Sequence, residues 1–318
     1  MLDTTVIGSF PLSYSEVNFR RALLDQLRAG IDYPALPQLD DFCLIYLREF
    51  AFQNCGINIV DDTPWVTSSL KPPKIKNLVG QVSVAVNIIR RFKGEVNLKV
   101  QVTGPLTLAS VTKVTEDKFA LSYPSIVEEF IVAVSDIVRQ FSRINFVKLV
   151  FIDEPSLPYA SWMGLNEELL IKSISEPLRV ANSYNKLTGV HVCGDVRGFS
   201  HILLQTSAKI LHHEFKGNPL NFHAYSRRDL ELYDKLLGLG CIQTVIKDKE
   251  LPIEDVDEIV TFVSRAIEIY GVENLFIAPD CGFKGFKEIF DEDEAERVAF
   301  IKMSRMVEAV RSLRGSYS

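Results

Sequence analysis

Short runs of β-branched and aliphatic residues recur along the chain, separated by longer stretches in which apolar residues return every three or four positions. The runs are TTVIG near residue 4, INIVDD near 58, LKVQVTGP near 98 and VKLVFIDEP near 147, then TGVHVCGD near 188, AKILHHEF near 208, LGCIQTVI near 239 and NLFIAPDCG near 274. Such runs fit buried strands, and the spacing between them fits amphipathic helices. The clearest helix is expected over 125–141, where Ile126, Phe130, Val134, Ile137 and Phe141 form one apolar stripe. Alternating strands and helices imply βαβ units on a parallel sheet. Eight repeats within 318 residues predict a single-domain α/β protein, a (β/α)8 TIM barrel, a fold of about 250 residues in its usual form. Residues 67–78 contain Pro72 and Pro73, which remove donors that a central strand needs, so a loop or hairpin insertion after the second strand is expected there. The acidic run 291–296 is expected to open a helix, where carboxylates favour the dipole.

Composition narrows the class. With 47% hydrophobic and 24% charged residues, the chain reads as an ordinary globular protein. A net charge of −6 without any sustained Lys/Arg run argues against nucleic acid or an anionic membrane as the main partner. No window reaches the roughly 18 apolar residues of a membrane span, and no basic stretch precedes an apolar one at the N-terminus. A cytoplasmic location is therefore expected. Cys43, Cys55, Cys193, Cys241 and Cys281 are odd in number and scattered, which favours reduced thiols or metal ligands over a disulfide framework.

The candidate chemistry lies where the strands end, because the C-terminal ends of barrel strands carry the active site in this fold. Those ends hold Ser9, Asp62, Thr103, Asp153, His191 with Cys193, Glu214 and Cys281. His191 and Cys193 are two apart and so share one side of their strand. With Glu214 ending the next strand and Cys281 the last, an imidazole, two thiolates and a carboxylate could surround a tetrahedral zinc, a donor set that disfavours magnesium or calcium. By alternation His212 points the same way as Glu214, which leaves it an open candidate for supporting the ligands from behind, and His213 points the other way and is expected to pack outside. Asp153 closes an apolar strand, where a carboxylate is costly without a cation or hydrogen bonds. It could meet a substrate ammonium, or it could cap the following helix or loop.

The strings TTVIGSFP at the start, TGP at 103–105, IDEP at 152–155, HVCGD at 191–195, LHHEFKGNP at 211–219 and PDCG at 279–282 run in order over nearly the whole chain. Together they resemble the cobalamin-independent methionine synthase family, most closely the short archaeal methionine synthases built from its catalytic half alone. The resemblance implies a (β/α)8 barrel with zinc held by His191, Cys193, Glu214 and Cys281, the homocysteine thiolate joining the metal and loosening Glu214. It implies that Ile7, Ser9 and Asp153 hold the amino acid end of the acceptor, that Asp153 and Glu214 serve catalysis, and that methionine is the product. Two departures stand out. The family's Gly-Glu after strand two is absent, with Asp61 or Asp62 expected to substitute, and Val245 stands where the folate-using enzymes have a histidine. Those enzymes also carry a second, N-terminal barrel, for which 318 residues leave no room. The expected donor is thus methylcobalamin or a methylated corrinoid protein rather than methyl-folate. The alternatives are a corrinoid-dependent methyltransferase with another thiol acceptor such as coenzyme M, whose relatives share H-x-C-G but lack the HEF glutamate and the PDCG ending, or a noncatalytic zinc-binding barrel.

Overall fold

The computed structural model describes residues 2–246 and 250–316. Its strands, in chain order, are β1 (Asp3–Thr4), β2 (Ile57–Val60), β3 (Thr63–Val66), β4 (Leu98–Thr103), β5 (Lys113–Thr115), β6 (Lys118–Phe119), β7 (Val147–Asp153), β8 (Leu187–His191), β9 (Ile210–Glu214), β10 (Leu236–Gly240) and β11 (Leu275–Ala278). The helices are α1 (Glu16–Ala29), α2 (Leu44–Phe52), α3 (Lys76–Lys93), α4 (Pro105–Val111), α5 (Pro124–Ser142), α6 (Leu157–Trp162), α7 (Glu167–Ser183), α8 (Ser200–Gln205), α9 (Arg227–Leu232), α10 (Val256–Tyr270) and α11 (Glu292–Ser316). Seven strands form one all-parallel curled sheet in the order β1-β11-β10-β9-β8-β7-β4. The α/β barrel predicted from the sequence is the observed fold.

One stave differs from the expectation. The INIVDD run does not enter the barrel: β2 pairs antiparallel with β3, and β5 and β6 complete a separate four-stranded sheet. The gap between β1 and β4 is closed instead by residues 33–38, where Thr5 bridges Tyr33, Ser9 bridges Gln38 and Ala35 bridges Lys99. Five backbone bonds fasten this stave: Tyr33 N to Thr4 O at 3.0 Å, Gln38 N to Gly8 O at 2.7 Å and Phe10 N to Gln38 O at 3.3 Å on one side, and Leu36 N to Lys99 O at 2.8 Å and Lys99 N to Pro34 O at 2.9 Å on the other. Pro34 and Pro37 have no N–H, so no continuous ladder forms there and the segment reads locally as a loop. The β-branched INIV run suits any half-buried pleated surface, which is why its own pattern does not say which sheet it joins. Its turn is Asp61-Asp62 with φ of 47° and 57°, the left-handed pair that a tight two-residue hairpin requires. The inserted hairpin thus lies at 57–66, and residues 67–75 carry neither helix nor strand.

The helices follow their patterns. The stripe on α5 buries Phe130, Val134, Ile137 and Phe141, and Pro124 stands in the first turn, where its missing N–H costs nothing. The acidic run opens α11, with Asp291 Oδ1 accepting from Glu294 N at 2.9 Å. Inside the barrel, Leu149, Phe151, Ile210 and Phe276 form a small apolar floor. Two residues further along the strands, in register, come Asp153, His191 and His212. The alternation that sets the floor therefore also sets a polar layer above it. Lys99 is fully buried beside that floor, with Nζ 2.7 Å from Val6 O and 4.0 Å from the Phe151 ring centre. Burial lowers its pKa to about 7.

A second buried cation secures the loop after β10. Lys302 of α11 donates to Pro252 O and pairs with Glu254, whose other oxygen accepts from Gln243 N at 2.7 Å, and both side chains are buried. Removing one member of a buried pair strands the other charge, at a cost of about 3–5 kcal/mol. Lys302→Met is expected to lose that much in urea unfolding. Lys302→Met combined with Glu254→Gln should recover most of it. A single-variant loss no larger than that of an exposed surface pair would show that the pair is not anchoring this loop.

Candidate metal centre

His191 ends β8, Cys193 follows it by two residues, and Cys281 lies just beyond β11. Their ligand atoms all lie within 4.8 Å of one another. Cys193 Sγ is 3.0 Å from His191 Nε2, Cys281 Sγ is 3.5 Å from the same nitrogen, and the two sulfurs are 3.5 Å apart. Thiolates bound tetrahedrally to one zinc sit about 3.8 Å apart, so the sulfurs need shift only a few tenths of an ångström to share an ion. One imidazole and two thiols form a donor set that suits zinc. Glu214 ends β9 next to this trio but outside it, with Oε1 accepting from Gly194 N at 3.2 Å. A hydrogen bond from Cys193 pulls the Cys281 thiol well below its ordinary pKa and pushes Cys193 correspondingly upward. Beside them, burial opposes a charge on His191, but Cys281 and Asp153 outweigh it and raise its pKa.

Buried side chains that chemistry-by-motif did not assign fasten each ligand. His213 points away from the barrel interior, as alternation requires, and bonds Val192 O at 3.0 Å and Tyr225 Oη at 3.0 Å. It so holds the residue between His191 and Cys193. Asn221 donates to Gly194 O at 2.8 Å and Glu214 O at 2.7 Å, and accepts from Val196 N at 3.0 Å. Asp280 accepts from the backbone N–H groups of Phe215, Lys216 and Gly217 at 2.9, 3.0 and 2.6 Å. It thereby ties the chain after Glu214 to the residue before Cys281, although burial still raises its pKa to about 8. Cys281 N donates to Thr244 Oγ1 at 2.8 Å. Gly282 is required by closeness: a Cβ there would lie 1.7 Å from Ser9 Oγ.

In front of the trio is a cavity of about 200 Å³ lined by Ile7, Ser9, Gln38, Phe42, Asp153 and Pro155 together with the three ligands. Asp153 is buried, and its Oδ1 has no hydrogen-bond partner among the described residues. Burial raises its pKa above the usual carboxylate range, against the pull of His191 and Lys99. The capping alternative for Asp153 falls instead to Glu154, which accepts from Leu106 N and Thr107 N, both at 2.9 Å, at the start of α4. Thr103 is the register partner of Asp153 but does not line this cavity, its hydroxyl donating instead to Phe42 O. Asp61 and Asp62 do not reach it. They form the hairpin turn, where Asp62 is 79% exposed and pairs with Arg48 at 3.4 Å. The residue at the end of the second stave is Gln38, which local periodicity could not flag because its stave is broken by proline. A second, wider cavity of about 600 Å³ shares Phe42 and Pro155 with the first and runs past Val111, Lys113, Phe119 and Asp62.

The sequence model of the cobalamin-independent synthase catalytic domain matches residues 47–311. The methionine synthase of Methanothermobacter marburgensis is 27% identical, covering 96% of this chain and 98% of its own. That of Methanocaldococcus jannaschii is 25% identical, covering 98% and 99%. Among solved structures, a B12-independent methionine synthase from Shewanella sp. W3-18-1 in complex with selenomethionine gives a TM-score of 0.68 at 18% identity over 99% of both chains. A methyltransferase from Methanosarcina mazei gives 0.64 at 17% identity over 98% and 94%. These two superpositions carry the shared barrel fold.

If the trio is the metal centre, Cys193→Ala combined with Cys281→Ala should purify with less than a tenth of the parent's metal by elemental analysis. Replacing Cys43, Cys55 and Cys241 together should leave it unchanged. Metal retained in the first variant would remove the assignment.

Proposed function

This chain belongs to the cobalamin-independent methionine synthase family, whose enzymes methylate homocysteine to methionine, and from that premise we propose a zinc-dependent enzyme that takes its methyl group from methylcobalamin or a methylated corrinoid protein. One observation carries the reading. An imidazole and two thiols whose donor atoms are close enough to share one metal ion face an unpartnered buried carboxylate oxygen across a single small cavity. His191, Cys193 and Cys281, with Glu214 as an exchangeable fourth ligand, would hold zinc, which when bound would keep the acceptor thiol ionised near pH 7, where a free thiol of pKa about 8.5 is mostly protonated.

The protein's own residues then orient the acceptor. Asp153 Oδ1 takes the substrate ammonium, Ser9 and the backbone at Ile7 take its carboxylate, and the Gln38 amide supplies a neutral contact beside them. This favours homocysteine over coenzyme M, whose sulfonate would be repelled by a buried carboxylate and which has no ammonium to offer it. In the transfer itself the acceptor sulfur forms a bond to the methyl carbon. The bond between that carbon and the donor breaks, and its electron pair leaves with the donor.

The donor enters from the wider cavity beyond Phe42 and Pro155. A methyl-folate nitrogen leaves well only if it is protonated as the methyl departs, a task worth about 10² to 10⁴ in rate. No histidine lines either cavity wall apart from His191 among the described residues. His212 is not available as that acid, because it is buried with both ring nitrogens engaged. A methylated corrinoid needs no such acid, since the cobalt leaves as a stable reduced ion.

Two outcomes test this reading. Purified zinc protein with homocysteine should form methionine from methylcobalamin, and from methyl-tetrahydrofolate of any glutamate length at less than a hundredth of that rate. Equal rates would refute the donor assignment. Asp153→Asn should weaken homocysteine binding about a hundredfold, the cost of stranding a buried ammonium being about 3 kcal/mol, while zinc content stays at the parent level. Calorimetric titration showing unchanged affinity would remove Asp153 from the acceptor site.

A further inference from the structure

His212 sits in the same layer as His191, its register partner on the neighbouring strand. The two Nδ1 atoms are 2.7 Å apart, and His212 Nε2 is 2.9 Å from Pro279 O. His212 is 1% exposed, so water does not serve its ring nitrogens. Its room is provided by Gly238, where a Cβ would lie 2.7 Å from the His212 Cβ and 3.0 Å from its ring.

We propose that His212 is a positioning residue for the metal centre: its Nδ1 accepts the Nδ1 proton of His191 and so fixes His191 with a bare Nε2 facing Cys193 and Cys281. The inference rests on the zinc reading above and extends it to a residue outside the ligand set. The direction of the bond follows from the partners. A carbonyl only accepts, so the proton between His212 and Pro279 belongs to His212 Nε2. A neutral His212 then has a lone pair on Nδ1, and the proton in the 2.7 Å contact belongs to His191. The reverse arrangement would make His212 a buried cation with no carboxylate in contact among the described residues, and would put the His191 proton on Nε2, 3.0 Å from Cys193 Sγ, where a metal must bind. The chain Pro279 O, His212, His191 also links the backbone two residues before Cys281 to the imidazole ligand. One ring thereby couples ligands carried by β8 and by the segment after β11. Outer partners of a ligating histidine are worth about 10- to 100-fold in metal affinity.

The side chains of Asn and Gln separate the two bonds, since an Asn amide oxygen can take the place of Nδ1, whereas Gln reaches the place of Nε2. His212→Asn, His212→Gln and His212→Phe are compared with the parent for zinc affinity by competition with a chromophoric chelator, with circular dichroism and thermal unfolding as the check on folding. The expected result is that Asn binds zinc within about threefold of the parent while folded Gln and Phe variants bind 10- to 100-fold more weakly. A Gln or Phe variant that matches the parent, or an Asn variant that falls as far as Phe, would overturn the assignment. Long-range proton–nitrogen correlation on the unmodified protein tests it without any substitution. In the metal-free protein His212 should carry its proton on Nε2 alone, and a proton on its Nδ1 would overturn the proposal. A parent that binds no zinc would sink the zinc reading instead, and the His212 tautomer would still be measured.

Discussion

The mouth of the barrel concentrates acidic groups in a buried space, and the cost of carrying negative charge there is the constraint on which the rest of the C-terminal face depends. Asp153, Glu154 and Asp280 are buried carboxyls whose pKa values burial raises, and two thiols and Glu214 stand among them. Lys99 lies below Asp153 and Lys302 near Asp280, and burial weakens the charge of both. Such a space is stable in one of three ways: protons stay on, backbone N–H groups converge, or cations arrive. The chain uses the second for Glu154 and Asp280. Asp153 and the thiols are left for the third, which on the proposed reading a divalent metal and a substrate ammonium would bring.

Packing decides that the two arrivals occupy different places. The polar layer above Phe151 puts Asp153 and His191 on adjacent strands at the same height, so the unpartnered carboxylate oxygen and the candidate metal ligands face one another within a cavity of about 200 Å³. Phe42 and Pro155 then divide this cavity from the wider one beside it. Phe42 is held there by the Thr103 hydroxyl. The separate small sheet formed by the 57–66 hairpin and residues 113–119 contributes Asp62, Thr63, Pro64, Lys113 and Phe119 to the far wall. On the proposed reading, an acceptor of amino acid size and a bulkier donor would approach a shared centre from these two cavities.

The ligand strings are longer than chemistry requires because position is as demanding as identity. In PDCG, Pro279 accepts from His212, Asp280 gathers three backbone N–H groups, Cys281 supplies the sulfur and Gly282 makes room for Ser9. In LHHEFKGNP, His213 fastens Val192 and the stretch after Glu214 supplies the donors that Asp280 needs. A side chain held on one rotatable stem drifts, whereas backbone clamped on both flanks does not, and a metal site tolerates only a few tenths of an ångström.

Strand and helix periodicity by itself determined the parallel α/β barrel, the apolar stripe of α5 and the acidic opening of α11, since those patterns report local geometry and the side that must be buried. Motif spacing likewise brought out His191, Cys193, Cys281 and Asp153, because reactive residues at the ends of parallel strands have nowhere to converge but one mouth. The second stave was decided only by tertiary structure. Residues 33–38 hold their place through bonds to two neighbouring strands, and prolines erase the local signature those bonds would otherwise leave. So were the exclusion of the INIV run from the barrel, the appearance of Gln38 rather than Asp61 or Asp62 beside the cavity in front of the trio, and the hydrogen bonds by which His212, Asn221 and Asp280 meet distant segments. Each depends on which strand lies next to which and at what register, a relation between distant segments that no single stretch of sequence encodes.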